Sequence, residues 1–270
     1  MAHQNQNNAT KDIIFMIHCT WGRGKFRQNY IEFFSTRGYQ CIAPDWLYHD
    51  VSPGEEPDPR LGGTGLLEFV ADFEKRIGSL DRKPILMGHS VGGLMAQILA
   101  SRGLAKALVA ITSGSPAGIN AFTPSVLKSI RSITSRWGFW KKPHRQTFEE
   151  AVYSMLHLMP AEKQKSFYEQ LVHDSGRATS EVGFWFLDRR HASRVDEKKI
   201  TCPMLVIGAG HDRITPVSVS RKIAEKYSHA HYREYDNHAH WILNEPGWEQ
   251  VAEDIHGWLL ANGQPSFRSE

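Results

Sequence analysis

The chain has 270 residues, 41% of them hydrophobic and 23% charged, which excludes a disordered protein and leaves room for one large α/β core. A net charge of only +3, with no run of five or more Lys or Arg, argues against a nucleic-acid partner. Cys19, Cys41 and Cys202 are few, odd in number and form no Cys-x-x-Cys pair, so neither a disulfide framework nor a zinc site is expected. No apolar stretch approaches the roughly 20 residues that span a bilayer. These features predict a cytoplasmic protein with no membrane partner and no metal or organic cofactor. Residues 1–11 are polar, lack the apolar core of a signal peptide, and are expected to form a disordered tail.

The first apolar run, Ile13 to Ile17, is too short for a helix and reads as a strand buried on both faces. Tyr39 to Ala43 follows as a second strand. Leu66, Phe69, Val70, Phe73 and Ile77 then fall on one helical face. Ile85 to Met87 is a third strand, and Val91, Leu94, Met95, Ile98 and Leu99 form a second helical face. Ala107 to Ile111 is a fourth strand, Met204 to Ile207 a fifth and His231 to Tyr235 a weaker sixth. Thr215-Pro216 predicts a helix N-cap followed by proline in the first turn. Trp248, Val251, Ala252, Ile255 and Leu259 outline a terminal helix. This alternation predicts an α/β fold: about six mostly parallel strands flanked by helices.

One region breaks the alternation. Between Ser113 and Lys199 no strand is apparent. Helical segments are expected near 124–136, 147–157, 161–173 and 179–188, with many aromatic residues between them. The expected organisation is therefore a core of residues 12–112 and 200–262, with residues 113–199 inserted as a helical cap. The aromatic residues either wall a pocket or simply glue the insertion to itself and to the core.

The chemistry centres on Gly88-His89-Ser90-Val91-Gly92, followed by Gly93, between a predicted strand and a predicted helix. Glycines on either side remove Cβ atoms that would collide in a sharp turn, and the helix start directs free N–H groups at developing negative charge. A serine hydroxyl needs a base, expected later in the chain after an acid. Asp212 follows the Met204–Ile207 strand directly, on the same sheet edge as Ser90. His238 and His240 both follow the last strand. His240 is preferred because it lies in the short loop before the terminal helix, which leaves His238 as a supporting loop residue.

Together these residues resemble the α/β-hydrolase superfamily, over roughly Ile13 to Leu260. The resemblance rests on the Ile13–Ile17 strand with His18, Ala43-Pro44-Asp45, Gly88-His-Ser-Val-Gly92, Asp212 with Pro216, and His240 with Glu245-Pro246. It implies a serine hydrolase of the esterase or lipase kind, with Ser90, Asp212 and His240 as triad. By the same resemblance the backbone N–H groups of Thr20 and Val91 form the oxyanion hole. Cys19 stands where that family usually has glycine; it reads as an inert buried thiol, the alternative being a reactive one near the pocket. The antiparallel strands that often open this fold are expected to be missing.

Trp21, Trp46, Trp185 and Trp241 are expected to wall a pocket for a small apolar or aromatic acyl substrate, cleaved as an ester, lactone or thioester. Residues 120–199 hold 14 Lys and Arg against 9 Asp and Glu, so the cap either favours anionic substrates or carries an ordinary solvated surface. Two alternatives stay open: carbon–carbon hydrolysis or cofactor-free perhydrolysis on the same triad, and a ligand-binding receptor or regulator with a slow triad.

Overall fold

The computed structural model describes residues 11–262, so the tail expected over residues 1–11 lies almost wholly outside the described residues. The chain enters through β1 (Ile13–Ile17), α1 (Gln28–Thr36) and β2 (Gln40–Ile42), then α2 (Leu66–Gly78) and β3 (Ile85–His89). It continues through α3 (Val91–Ser101) into β4 (Ala107–Ile111). The inserted region holds α4 (Pro124–Ser129), α5 (Arg131–Thr134), β5 (Pro143–His144), α6 (Phe148–Ala151), α7 (Ala161–Glu169), β6 (Asp174–Ser175) and α8 (Gly176–Gly183). The core resumes with β7 (Met204–Ala209), α9 (Val217–Lys226), β8 (Ala230–Tyr235) and α10 (Trp248–Asn262).

The main sheet has the order β2-β1-β3-β4-β7-β8, and every pairing is parallel. The four inner strands are buried along their whole length. Phe15 and Ile17 point into the cluster under α2, α3 and α9, while Ile14 and Met16 point into the cluster under α1 and α10. That double coverage explains the unbroken apolar runs. The edge strands β2 and β8 are partly exposed, which is why His231 to Tyr235 gave the weaker signal. Strand order reverses between β1 and β3, so their C-terminal ends open a crevice of the kind where α/β sheets place their sites.

The cap differs from expectation in detail. It contains a small antiparallel sheet, β5 with β6, whose two-residue strands carry no readable period. The helix expected over 124–136 is broken at Ile130, and the one over 161–173 stops at Glu169. The segment expected over 147–157 is capped at Thr147, which forms a capping box with Glu150, and runs through α6 into a π-helical turn, Val152–Leu156. Thr215 does not cap α9. Its N–H is bound by the Asp212 carboxylate, and Pro216 takes the extended N-cap position one residue later.

Candidate active site

Ser90 sits between β3 and α3 at φ 57° and ψ −128°, a left-handed conformation rarely adopted by residues other than glycine. The turn is possible only because its neighbours are bare. A Cβ on Gly88 would lie 2.3 Å from the Gly92 carbonyl oxygen. One on Gly92 would lie 2.2 Å from that of His18. Two backbone bonds fix the serine itself: its N–H donates to Ile111 (3.0 Å), and its carbonyl accepts from Gly114 (2.7 Å).

His240 Nδ1 lies 2.7 Å from Asp212 Oδ2, and both side chains are buried. The other carboxylate oxygen of Asp212 accepts from the N–H groups of Ile214 (2.9 Å) and Thr215 (2.7 Å). A carboxylate held at three points fixes the imidazole with Nδ1 as donor, leaving Nε2 free to accept a proton. The loops carrying the two residues are joined by His211 N–H to the His238 carbonyl, 2.8 Å. Ser90 and His240 face one cavity, but no hydrogen bond of 3.5 Å or less joins the serine hydroxyl to the imidazole. Such contacts commonly close only on substrate binding.

That cavity, about 130 Å³, lies between core and cap. Thr20, Trp21, Ser90, Val91 and His240 form its floor, and Phe122, Val126, Ile130, Phe139, Met155, Val182, Phe184 and Trp185 form its apolar roof. Apart from His240, none of its lining side chains is titratable. The cap's surplus of basic residues therefore faces elsewhere. Val91 is the first residue of α3, so its N–H has no intrahelical acceptor. Among the described residues the Thr20 N–H likewise donates to no protein group.

Two of the four expected tryptophan walls are absent from the cavity. Trp46 is buried in the core against Phe69 with the His18 ring stacked on it, centroids 4.7 Å apart. Trp241 follows His240 but turns inward, between Phe26, His89 and Phe167. An aromatic residue beside a site residue fills the core as readily as the pocket, and sequence does not say which way it turns. His238 also lies off the cavity, with Nδ1 3.1 Å from Glu245 Oε2. Cys19 is buried, and burial pushes its thiol up to about 11, so it stays protonated and unreactive at neutral pH.

Several supporting residues carried little or no separate signal in the sequence. His89 donates from Nε2 to the His240 carbonyl (2.8 Å), and burial holds its pKa well below the usual histidine value. Glu245 accepts from the Ala239 N–H (2.8 Å) and so braces the loop before His240; the Glu245-Pro246 pair was its only signal. Asp45 accepts from the Gly24 N–H (2.6 Å), beyond the turn after β1. Among the described residues no cluster of His, Cys, Asp or Glu is placed to hold a metal ion, and no helix is long and apolar enough to cross a membrane.

A family model described as alpha/beta hydrolase fold matches residues 12–246. The chain belongs to the α/β-hydrolase fold family. It is 24% identical to human Protein ABHD8 over 94% of this chain and 56% of that protein, so it spans little more than half of this relative. It is 24% identical to a monoacylglycerol lipase of Mycolicibacterium smegmatis over 85% of this chain and 81% of the relative. Among solved structures, a pyrethroid hydrolase from Sphingobium faniae superposes with a TM-score of 0.70 at 19% identity, covering 93% of this chain and 98% of the other.

Proposed function

We propose that this α/β-hydrolase is a serine hydrolase that cleaves a neutral, apolar carboxylic ester, with residues 113–199 as the cap that shapes its pocket. One observation carries the reading: a strained Ser90 faces the same cavity as His240, whose other nitrogen is held by Asp212 at 2.7 Å. A strained backbone that presents a hydroxyl to a cavity has no structural benefit of its own. The names of the monoacylglycerol lipase and the pyrethroid hydrolase are in keeping with a hydrolytic activity.

In the proposed reaction Ser90 Oγ attacks the acyl carbon while its proton passes to His240 Nε2. Asp212 holds the imidazole and stabilises the imidazolium. The N–H groups of Thr20 and Val91 donate to the oxyanion, each contributing about 3 kcal/mol to the transition state. Breaking the ester bond returns the proton from His240 to the departing alkoxide. Water then attacks the acyl-enzyme with His240 again as base, and the acid leaves.

The lining sets the substrate class. With no carboxylate, lysine or arginine side chain on the cavity, an anionic substrate would lose its hydration without finding a partner. The volume of about 130 Å³ is close to that of an apolar cavity of roughly 150 Å³ known to hold benzene. An acyl group of phenyl or five- to six-carbon size fits it. The test is a series of p-nitrophenyl esters from acetate to palmitate, with Ser90→Ala as control. Turnover that peaks at hexanoate or phenylacetate and vanishes in the control is expected. A flat response to acyl length, or turnover unchanged in the control, contradicts the reading.

A further inference from the structure

The turn that carries Thr20 departs from its family at Cys19 and is held in an unusual way. The next residue, Trp21, has φ 60°, a left-handed conformation disfavoured for so bulky a side chain. Within the core one bond closes the turn, from the Gly22 N–H to the Cys19 carbonyl (3.1 Å), but it reaches no polar group of Trp21. Its N–H donates to Asp174 Oδ2 (2.9 Å), its carbonyl accepts from the Val172 N–H (3.0 Å), and its indole N–H donates to His144 Nδ1 (3.2 Å). All three partners belong to the cap, on or beside the small β5–β6 sheet. Every polar group of Trp21 is therefore bound by the insertion.

Asp174 is the centre of this arrangement. It is almost fully buried, and its second oxygen accepts from the Ser175 N–H at 2.6 Å. Its countercharge comes from the core: His49 Nε2 lies 3.3 Å from Oδ2, an ion contact outside hydrogen-bonding geometry. The other His49 nitrogen lies 3.0 Å from the Leu47 carbonyl. Both ring nitrogens face acceptors, so the doubly protonated imidazolium is the form that suits the site. Burial, the largest single influence, pulls the His49 pKa down, but the Asp174 carboxylate, the Leu47 carbonyl and the Asp45 charge together outweigh it and the net direction is up. Burial is likewise the largest influence on Asp174 and pushes it up, but His49, His144 and the Trp21 N–H together turn the net direction down. The neighbouring His18 is the neutral contrast, accepting from the Trp46 N–H at Nε2 (3.1 Å).

We infer that Asp174 is a positioning residue for the oxyanion hole: from the cap it clamps Trp21, and so aims the adjacent Thr20 N–H at the cavity. The inference rests on the serine-hydrolase reading of Ser90. Asp174 touches no substrate; it acts through the backbone of the turn. It also makes the hole depend on a seated cap, because the clamp and its countercharge lie on opposite sides of the core–cap boundary.

The test compares Asp174→Ala and Asp174→Asn with the wild type. It reads kcat and KM on p-nitrophenyl hexanoate, the affinity of 1,1,1-trifluoro-2-octanone, and amide exchange across residues 19–24. The ketone matters because it forms an oxyanion on the serine, which a merely structural role would not single out. Asp174→Ala should lower kcat about 100-fold and weaken the ketone by a similar factor, with KM changed by less than about threefold. Asp174→Asn keeps one acceptor oxygen and should lose only about tenfold. The Trp21 amide should be protected in the wild type and exposed in Asp174→Ala. Unchanged kcat and ketone affinity in Asp174→Ala overturn the inference, as does a loss carried by KM that Asn fails to rescue. If Asp174→Ala does not fold, Asp174→Asn carries the same comparison. If the wild type neither turns over the ester nor binds the ketone, the serine reading fails. The exchange data then decide the clamp alone: loosening in Asp174→Ala keeps it, and no change removes it.

Discussion

The two turns that meet at the cavity are held by different means. The Ser90 turn is held by close approach within the core: Gly88 and Gly92 let backbone pass backbone at distances no side chain tolerates, and β4 and the loop after it bind the serine's own N–H and carbonyl. The Thr20 turn is closed by one backbone bond of its own, Gly22 N–H to the Cys19 carbonyl, and is held further from outside, by hydrogen bonds from the cap to Trp21 and by the buried Asp174–His49 contact. The first arrangement is rigid because it is steric. The second is directional and polar, and its cap contacts persist only while core and cap stay together. On the proposed reading, a nucleophile fixed by the scaffold and an oxyanion donor aimed by the insertion would let the substrate-shaping part of the molecule also govern transition-state stabilisation.

The largest expected effect belongs to the first turn. Ser90→Ala and His240→Ala should each lower kcat by about 10³-fold or more without unfolding the protein, and the double variant should lose little beyond either single one. Full additivity, measured on the same ester, would mean that the two residues do not act together.

Gly92→Ala breaks the same turn sterically. The new Cβ would meet two carbonyl oxygens, at 2.2 and 2.4 Å, so a destabilisation of about 3 kcal/mol or more is expected. Chemical denaturation measures it. A near-wild-type midpoint would show that the β1–β3 crevice yields more easily than its packing indicates.

The polar turn and its surroundings should be sensitive to acid. His18, His89 and His144 have lowered pKa values, chiefly through burial, and His144 falls to about 4. Because the unfolded chain takes up these protons near pH 6.5 and the folded protein does not, the stability they contribute is present above pH 6.5 and lost as pH falls. His49, whose pKa is raised, opposes this with one proton against three. His144 alone accounts for about 3 kcal/mol between pH 6.5 and pH 4. Melting temperature measured from pH 7 to pH 4.5 should fall steadily, and a flat profile would contradict neutral burial.

The smallest effect separates a wall from a filler. Trp185→Ala should raise KM for the hexanoyl ester several-fold, about 1 kcal/mol, with little change in melting temperature. Trp46→Phe, deep in the core, should do the reverse. A KM change in Trp46→Phe would bring that residue back to the pocket.

What could be read from the chain follows the same division. The main sheet was legible because its inner strands are buried on both faces and so appear as unbroken apolar runs. The Ser90 turn was legible because its glycines are adjacent in sequence. Asp212 and His240 were legible because each follows a strand that ends on the same edge. The clamp was not, because Asp174 lies 153 residues from Trp21 and its two-residue strand carries no period. Trp46 and Trp241 failed as wall predictions for a related reason: position in a loop does not fix which way a ring turns.

The central claim is an activated Ser90. It is tested most directly by treating the folded protein with a fluorophosphonate probe and mapping the labelled peptide. A single modification on Ser90 that His240→Ala abolishes is the expected result. Labelling elsewhere, or labelling of Ser90 that persists in His240→Ala, would contradict it.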